Sequence, residues 1–135
     1  MRKLKVMLVD DEEDFVSVMV PRVAGWGYDV FSVPGGKEAL SALAAEKPDM
    51  IILDYMMPDM DGIEALKKIR EVNKDIPVVM FTAYPDARAI DKASRLNVSA
   101  FIPKLSKYSD TQSSLKTSLD MARKSIEKKD RKSVV

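Results

Sequence analysis

Five side chains in this 135-residue chain have the types and positions to act together: Asp10, Asp11, Asp54, Thr82 and Lys104. Each stands at or just past the end of a short apolar run. A fold that gathered the ends of those runs would place three carboxylates, a hydroxyl and an ammonium in one crevice. Three adjacent anions cost several kcal/mol unless they are neutralised, and one lysine cannot do that alone. A hard divalent cation held through oxygen is the natural remedy: Mg²⁺, or Mn²⁺, with carboxylates, waters and a phosphate as ligands. Beside such a cation Asp54 could act as a nucleophile and form an aspartyl-phosphate. Thr82 and Lys104 would then hold the phosphoryl oxygens.

The composition narrows the alternatives. The chain has no Cys and no His, which excludes a disulfide framework, a thiolate nucleophile, Cys-based zinc or iron–sulfur sites, and any Ser-His-Asp triad. The net charge of +1 conceals an asymmetry: residues 1–103 carry 13 basic and 17 acidic side chains, residues 104–135 carry 9 and 4. A globally basic nucleic-acid binder is not expected, and neither direct nucleic-acid binding nor membrane insertion is. The N-terminal apolar stretch is too short for a signal peptide, so a cytoplasmic location is expected.

Apolar runs alternate with amphipathic stretches along the chain. Leu4–Val9, Tyr28–Val33, Met50–Leu53, Pro77–Phe81 and Ala100–Pro103 read as strands. Between them, Glu12–Ala24 should be a helix burying Phe15, Val18, Met19 and Val23, with Pro21 as an internal irregularity and Gly25 and Gly27 as left-handed caps. Gly36–Ala45 should bury Ala39, Leu40 and Leu43. Asp61-Gly62-Ile63-Glu64 is a capping box opening a helix over Ile63, Leu66 and Ile69. Asp86–Leu96 is a thin helix over Ile90, Ala93 and Leu96. The last helix should run from Ser109, capped with Gln112, to about Lys128, over Leu115, Leu119, Ala122 and Ile126.

Strict βα alternation with strands apolar on both faces calls for a doubly wound α/β fold, a five-stranded parallel sheet with helices on both faces. The common flavodoxin-like order 2-1-3-4-5 makes the fifth strand an edge, where Pro103 can sit without a ladder donor. Ligands in such sheets bind outside the carboxyl ends of the strands. Those ends are where the five residues lie.

The stretches Val9-Asp10-Asp11-Glu12, Asp54-Tyr55-Met56-Met57-Pro58-Asp59-Met60-Asp61-Gly62, Thr82-Ala83 and Phe101-Ile102-Pro103-Lys104 are matched in order and spacing by one family. The chain resembles the receiver domain of two-component response regulators, of the chemotaxis-regulator-like kind, from Leu4 to about Ile126. The resemblance implies a receiver domain over 1–126, with 127–135 a basic tail or the start of a linker. It implies that Asp54 is the phosphoacceptor and that Mg²⁺ is held by Asp11, by Asp10 through a water, by Asp54 and by the Met56 carbonyl. Thr82 and Lys104 would bind phosphate, and Thr82 with Phe101 would form the switch pair. A sensor histidine kinase or histidine phosphotransfer protein would supply the phosphoryl group, and an effector outside this chain would read the result. The domain would assist its own phosphorylation and slow dephosphorylation rather than turn over a substrate as an enzyme. Met56 and Tyr84, two residues beyond the phosphoacceptor and the switch threonine, would tune hydrolysis. The chain departs from the family at Lys104-Leu105, where the family commonly has Lys-Pro, and at Asn97, where it often has Gly. A non-proline cis bond is costly, so Lys104–Leu105 is expected to be trans.

Several of these residues have plainer readings. Glu12, Glu13 and Asp14 suit the acidic start of a helix, and Asp59 and Asp61 suit a loop and a cap. Gly35-Gly36-Lys37 lacks the spacing of a phosphate loop and reads as a turn. The basic residues from Arg123 onward suit a helix C-terminus. Two rival functions stand beside the switch. One is a receiver-like interaction module that needs no phosphorylation. The other is a phosphatase of the haloacid-dehalogenase type, which would place its aspartates as D-x-D after the first strand.

Overall fold

The computed structural model describes residues 2–83, 86–104 and 108–133, with the side chains of the last stretch described from 111 to 131. Its elements alternate without exception: β1 (Lys5–Val9), α1 (Glu13–Gly25), β2 (Asp29–Val33), α2 (Gly36–Glu46), β3 (Met50–Asp54), α3 (Gly62–Val72), β4 (Val78–Thr82), α4 (Ala87–Arg95), β5 (Ala100–Pro103) and α5 (Tyr108–Ser133). The strands form one parallel sheet in the order β2-β1-β3-β4-β5. This is the doubly wound architecture expected from the βα alternation.

The strand side chains divide between two cores. Met7, Val9, Ile51, Leu53, Val78 and Met80 face α2, α3 and α4. Val6, Leu8, Met50, Ile52, Val79 and Phe81 face α1 and α5, where they meet Met19, Val23, Leu115 and Leu119. Every residue of β3 and β4 is buried, which is why those strands read as unbroken apolar runs. The carboxyl ends of β1, β3 and β4 are therefore set by a rigid double-sided core.

Local chemistry fixes the helix ends. The Asp61 carboxylate accepts a hydrogen bond from the Glu64 N–H at 2.8 Å and opens α3, the half of the expected capping box made by the N-cap side chain. Asp86 does the same for α4 through the Ala89 N–H at 2.9 Å, a cap not foreseen in the sequence. Gly27 has a φ of +102°, as its place after α1 suggested, but Gly25 is the last helical residue of α1 and is not left-handed. Lys47 closes α2 with φ 49°, and Asn97 follows α4 with φ 59°, a conformation asparagine tolerates.

Two expected core residues are not in the core. Val18 is 40% exposed and Ile90 42%. In α1 the buried pair is Met19 and Val23, and in α4 it is Ala89 and Ala93. Each pair sits at i and i+4, and Val18 and Ile90 are each one residue, about 100°, away from that line. The α4 contact with the sheet is consequently made by small side chains. The far end of α4 is held more firmly. Arg70 of α3 donates to the carbonyls of Leu96 and Asn97 after α4, at 2.7 and 3.0 Å, and to those of Asn73 and Ile76.

The last helix begins at Tyr108, one residue before the expected start, and continues to Ser133, past both Ile126 and Lys128. Residues 127–133, expected as a tail or linker, thus extend α5. Arg2 reaches toward this extension, 3.6 Å from Asp130 while bonded to Asp49 at 2.8 Å. Nearer its start, α5 is pinned by the buried Tyr28, whose hydroxyl donates to Asp120 at 2.7 Å. The capping role expected of Ser109 and the Lys104–Leu105 bond lie outside the described residues. Among the described residues no helix is long and apolar enough to cross a membrane.

Candidate functional site

Asp10 leaves β1 with its N–H bonded to the Val33 carbonyl at 3.1 Å. Its carboxylate accepts from the Glu12 N–H at 2.9 Å, which fixes the turn into α1. Asp54 is the last residue of β3, Thr82 the last of β4, and Lys104 follows β5. The Lys104 N–H bonds the Thr82 carbonyl, so the ladder continues to the residue that bears the ammonium. Asp10 and Asp54 are each only 3% exposed and Thr82 is fully buried.

Glycine at position 62 is required for this geometry. A Cβ there would collide with the Asp54 carbonyl and lie 2.7 Å from the Tyr55 Cα. Because both neighbours are backbone, neither can swing aside. The Gly62 N–H donates to the Tyr55 carbonyl at 2.7 Å, closing the β3–α3 loop against the phosphoacceptor candidate.

The Lys104 ammonium is the hub. Its Nζ donates to Asp10 Oδ2 at 2.7 Å and stands 3.7 Å from Asp54 Oδ1 and 3.5 Å from Glu12 Oε1. On another side it lies 4.1 Å from the centre of the Phe15 ring and 6.0 Å from that of Phe81. Those two rings are in contact, with centroids 5.3 Å apart.

Burial dominates the electrostatics. It raises the Asp54 carboxyl from 3.8 to about 7, helped by the negative charge of Asp10 and opposed by Lys104 and the Met56 N–H. Burial also raises Asp10, against the pull of its Lys104 hydrogen bond. For Lys104 burial acts downward, but its hydrogen bond to Asp10 and the three surrounding carboxylates outweigh it, and the ammonium is held above its ordinary value. The cluster is short of positive charge.

The donor set fits a hard cation. Asp10, Glu12 and Asp54 each offer a carboxylate oxygen, and these atoms lie within 4.8 Å of one another. Glu12, read from sequence as a helix-start acid, is the member that reasoning missed. Asp11 is exposed and is not one of the three. It borders, with Asp10, Glu13 and Ser32, a neighbouring crevice of about 260 Å³. The Met56 N–H lies near enough to Asp54 to favour its charged form, and the residue itself is 53% exposed. Phe101 is half-buried against the core under α2, α3 and α4. Tyr84 lies outside the described residues.

A family model described as the response regulator receiver domain matches residues 6–116. The chain belongs to that family. This receiver domain is 43% identical over 79 residues to the alkaline phosphatase synthesis transcriptional regulatory protein PhoP of Bacillus subtilis, a match covering 58% of this chain and 33% of PhoP. It is 37% identical over 107 residues to a protein-glutamate methylesterase/protein-glutamine glutaminase of Trichodesmium erythraeum, covering 74% of this chain and 29% of that protein. The chain thus spans about a third or less of the length of these curated relatives. Among solved structures, the CheY-like receiver domain protein of Methanospirillum hungatei superposes with a TM-score of 0.81 at 22% identity, over 92% of this receiver domain and 99% of that chain. The non-phosphorylated HemR receiver domain of Leptospira biflexa gives 0.79 at 24% identity, over 89% and 94%. At those identities the likeness concerns the fold.

Proposed function

We propose that this receiver domain is a phosphorylation-activated switch in which Asp54 accepts a phosphoryl group in an Mg²⁺-dependent reaction. The observation that carries this reading is the convergence of Asp10, Glu12 and Asp54 on the nearly buried Lys104 ammonium, next to Thr82. Asp10, Asp54 and the Met56 carbonyl would hold the cation, with Asp11 turning in or Glu12 contributing. When bound, the cation supplies charge neutralisation for an incoming phosphate. An Asp54 oxygen bonds the phosphorus as the donor's bond to it breaks, and the electron pair leaves with the donor. Thr82 and Lys104 then bind the phosphoryl oxygens.

The chain has no histidine, so a phosphohistidine donor must lie outside residues 1–135, on a sensor histidine kinase or a phosphotransfer protein. The longer relatives support an effector beyond the receiver unit, which we place at about residues 1–126, in the cytoplasm. A receiver-like module freed from phosphorylation would have no physical need to bury Asp10 and Asp54 together.

The signal would pass through Thr82 and Phe101 to the surface of α4, β5 and α5. The small Ala89 and Ala93 contact makes α4 weakly held along its length and easily biased. NMR spectra with and without beryllofluoride, in the presence of Mg²⁺, should therefore differ most across residues 82–105. Changes restricted to 10–12 and 54–62 would sink the switch.

The aspartyl-phosphate should also be long-lived. Hydrolysis needs a water held in line behind phosphorus, and a thioether at position 56 makes no useful hydrogen bond to it. The exposed Met56 side chain leaves space for a polar replacement. Decay of the phosphorylated protein should accelerate in Met56→Asn, and further when Tyr84→Glu is added. Equal lifetimes in the three proteins would remove both positions from control of the water.

A further inference from the structure

The geometry points to Phe15 as a positioning residue for Lys104. This inference rests on the phosphoryl-transfer reading above. An ammonium has three protons and is strongly hydrated, so burial alone does not decide where its donors point. Here the Nζ stands over the Phe15 ring at 4.1 Å, with Phe81 behind at 6.0 Å, and only 10% of the side chain meets solvent. The negative face of the ring attracts the ammonium and excludes water from that side.

The ammonium's hydrogen-bonding capacity is thereby directed to the opposite side, where Asp10 lies at 2.7 Å and Asp54 at 3.7 Å. Lys104 bonds Asp10 but only approaches Asp54, so the phosphoacceptor oxygen is left without a direct ammonium bond. The ring holds the lysine beside the place where phosphoryl oxygens arrive, in a pose that ordinary lysine flexibility would otherwise blur. Leucine or methionine at position 15 would fill similar space without a negative face. Phe15 is half-buried at the edge of the α1/α5 core, so an exchange for a side chain of similar volume keeps most of its packing.

The first measurement needs neither metal nor phosphate. In the metal-free protein the Lys104 ε-protons should be shifted upfield of the other lysines by the ring, retained in Phe15→Tyr and lost in Phe15→Leu. The second is the rate of phosphate uptake from acetyl phosphate with Mg²⁺. Phe15→Leu should slow uptake about threefold to tenfold, less than the roughly thirtyfold a desolvated cation–π contact could supply, because the contact is already made before phosphate arrives. Phe15→Tyr should stay within about twofold of wild type, and a cooperative thermal melt checks that each variant folds.

The deciding comparison places Phe15→Leu in a Lys104→Gln background, where it should cause no further slowing, because the ring acts only through the ammonium. Equal slowing in both backgrounds would assign Phe15 to packing and overturn the inference. So would unchanged uptake in Phe15→Leu, or an unshifted Lys104 signal in wild type. Absence of any uptake by wild type would instead overturn the phosphoryl-transfer reading, and the ring shift would still report whether the contact exists.

Discussion

Asp54→Asn abolishes uptake of phosphate from acetyl phosphate, while the wild-type domain takes up one phosphoryl group only when Mg²⁺ is supplied. That is the expected result of the labelling experiment, read by intact-protein mass spectrometry. Asparagine keeps the shape and burial of Asp54 but has no anionic oxygen to form the acyl-phosphate bond. Metal dependence follows from the charge balance. Asp10 and Asp54 lie buried with one ammonium between them and Glu12 close by, so a phosphoryl donor meets net repulsion until a cation enters. Label retained at undiminished stoichiometry in Asp54→Asn would move the phosphoacceptor elsewhere. Uptake in excess chelator would remove the metal from the reaction.

The second large effect is on stability, and its sign follows from the raised carboxyls. The folded state holds a proton on Asp54 up to about pH 7, where the unfolded chain releases it near 3.8. Between those values the folded state binds more protons than the unfolded state, so stability falls as pH rises through the window and levels off above it. With Asp10 also raised, the slope belongs to the pair rather than to either carboxyl. The whole shift corresponds to roughly 4 kcal/mol, of which about 2 kcal/mol falls between pH 5.5 and pH 8. Urea unfolding of the metal-free protein should show lower stability at pH 8 than at pH 5.5. Asp54→Asn should remove most of the difference and be the more stable protein at pH 8. Mg²⁺ should restore stability to wild type at pH 8 and do little for Asp54→Asn. Wild type equally stable at both pH values without metal would refute the burial argument.

What could be read from the sequence depended on how many constraints each residue obeys. Strands buried on both faces leave continuous apolar runs, so β3 and β4 were legible, and the topology followed from their alternation with helices. Asp10, Asp54, Thr82 and Lys104 were legible because each ends such a run. Helix faces were less so. Val18 and Ile90 are apolar like their buried neighbours, and only the roll of the helix by one residue separates them. Glu12 and Phe15 were illegible as site residues for a related reason. An acid at a helix start and an aromatic one turn later each have a sufficient ordinary explanation. Only the position of the Lys104 ammonium, reached across the sheet from position 104, gives them a second one. Gly62 read as part of a capping box, whereas its tighter constraint, the backbone of Asp54 and Tyr55, is invisible until the loop closes.

Pro103 has a consequence beyond fitting an edge strand. Because the Lys104 N–H points inward to the Thr82 carbonyl, the nitrogen of Pro103 points the other way, along the open side of β5. That nitrogen carries no hydrogen, and β5 has only four residues. A strand from another molecule aligning there would find its hydrogen-bonding partner missing beside the site lysine. The sheet is thereby guarded against aggregation at the border nearest its chemistry, at no cost to the ladder within.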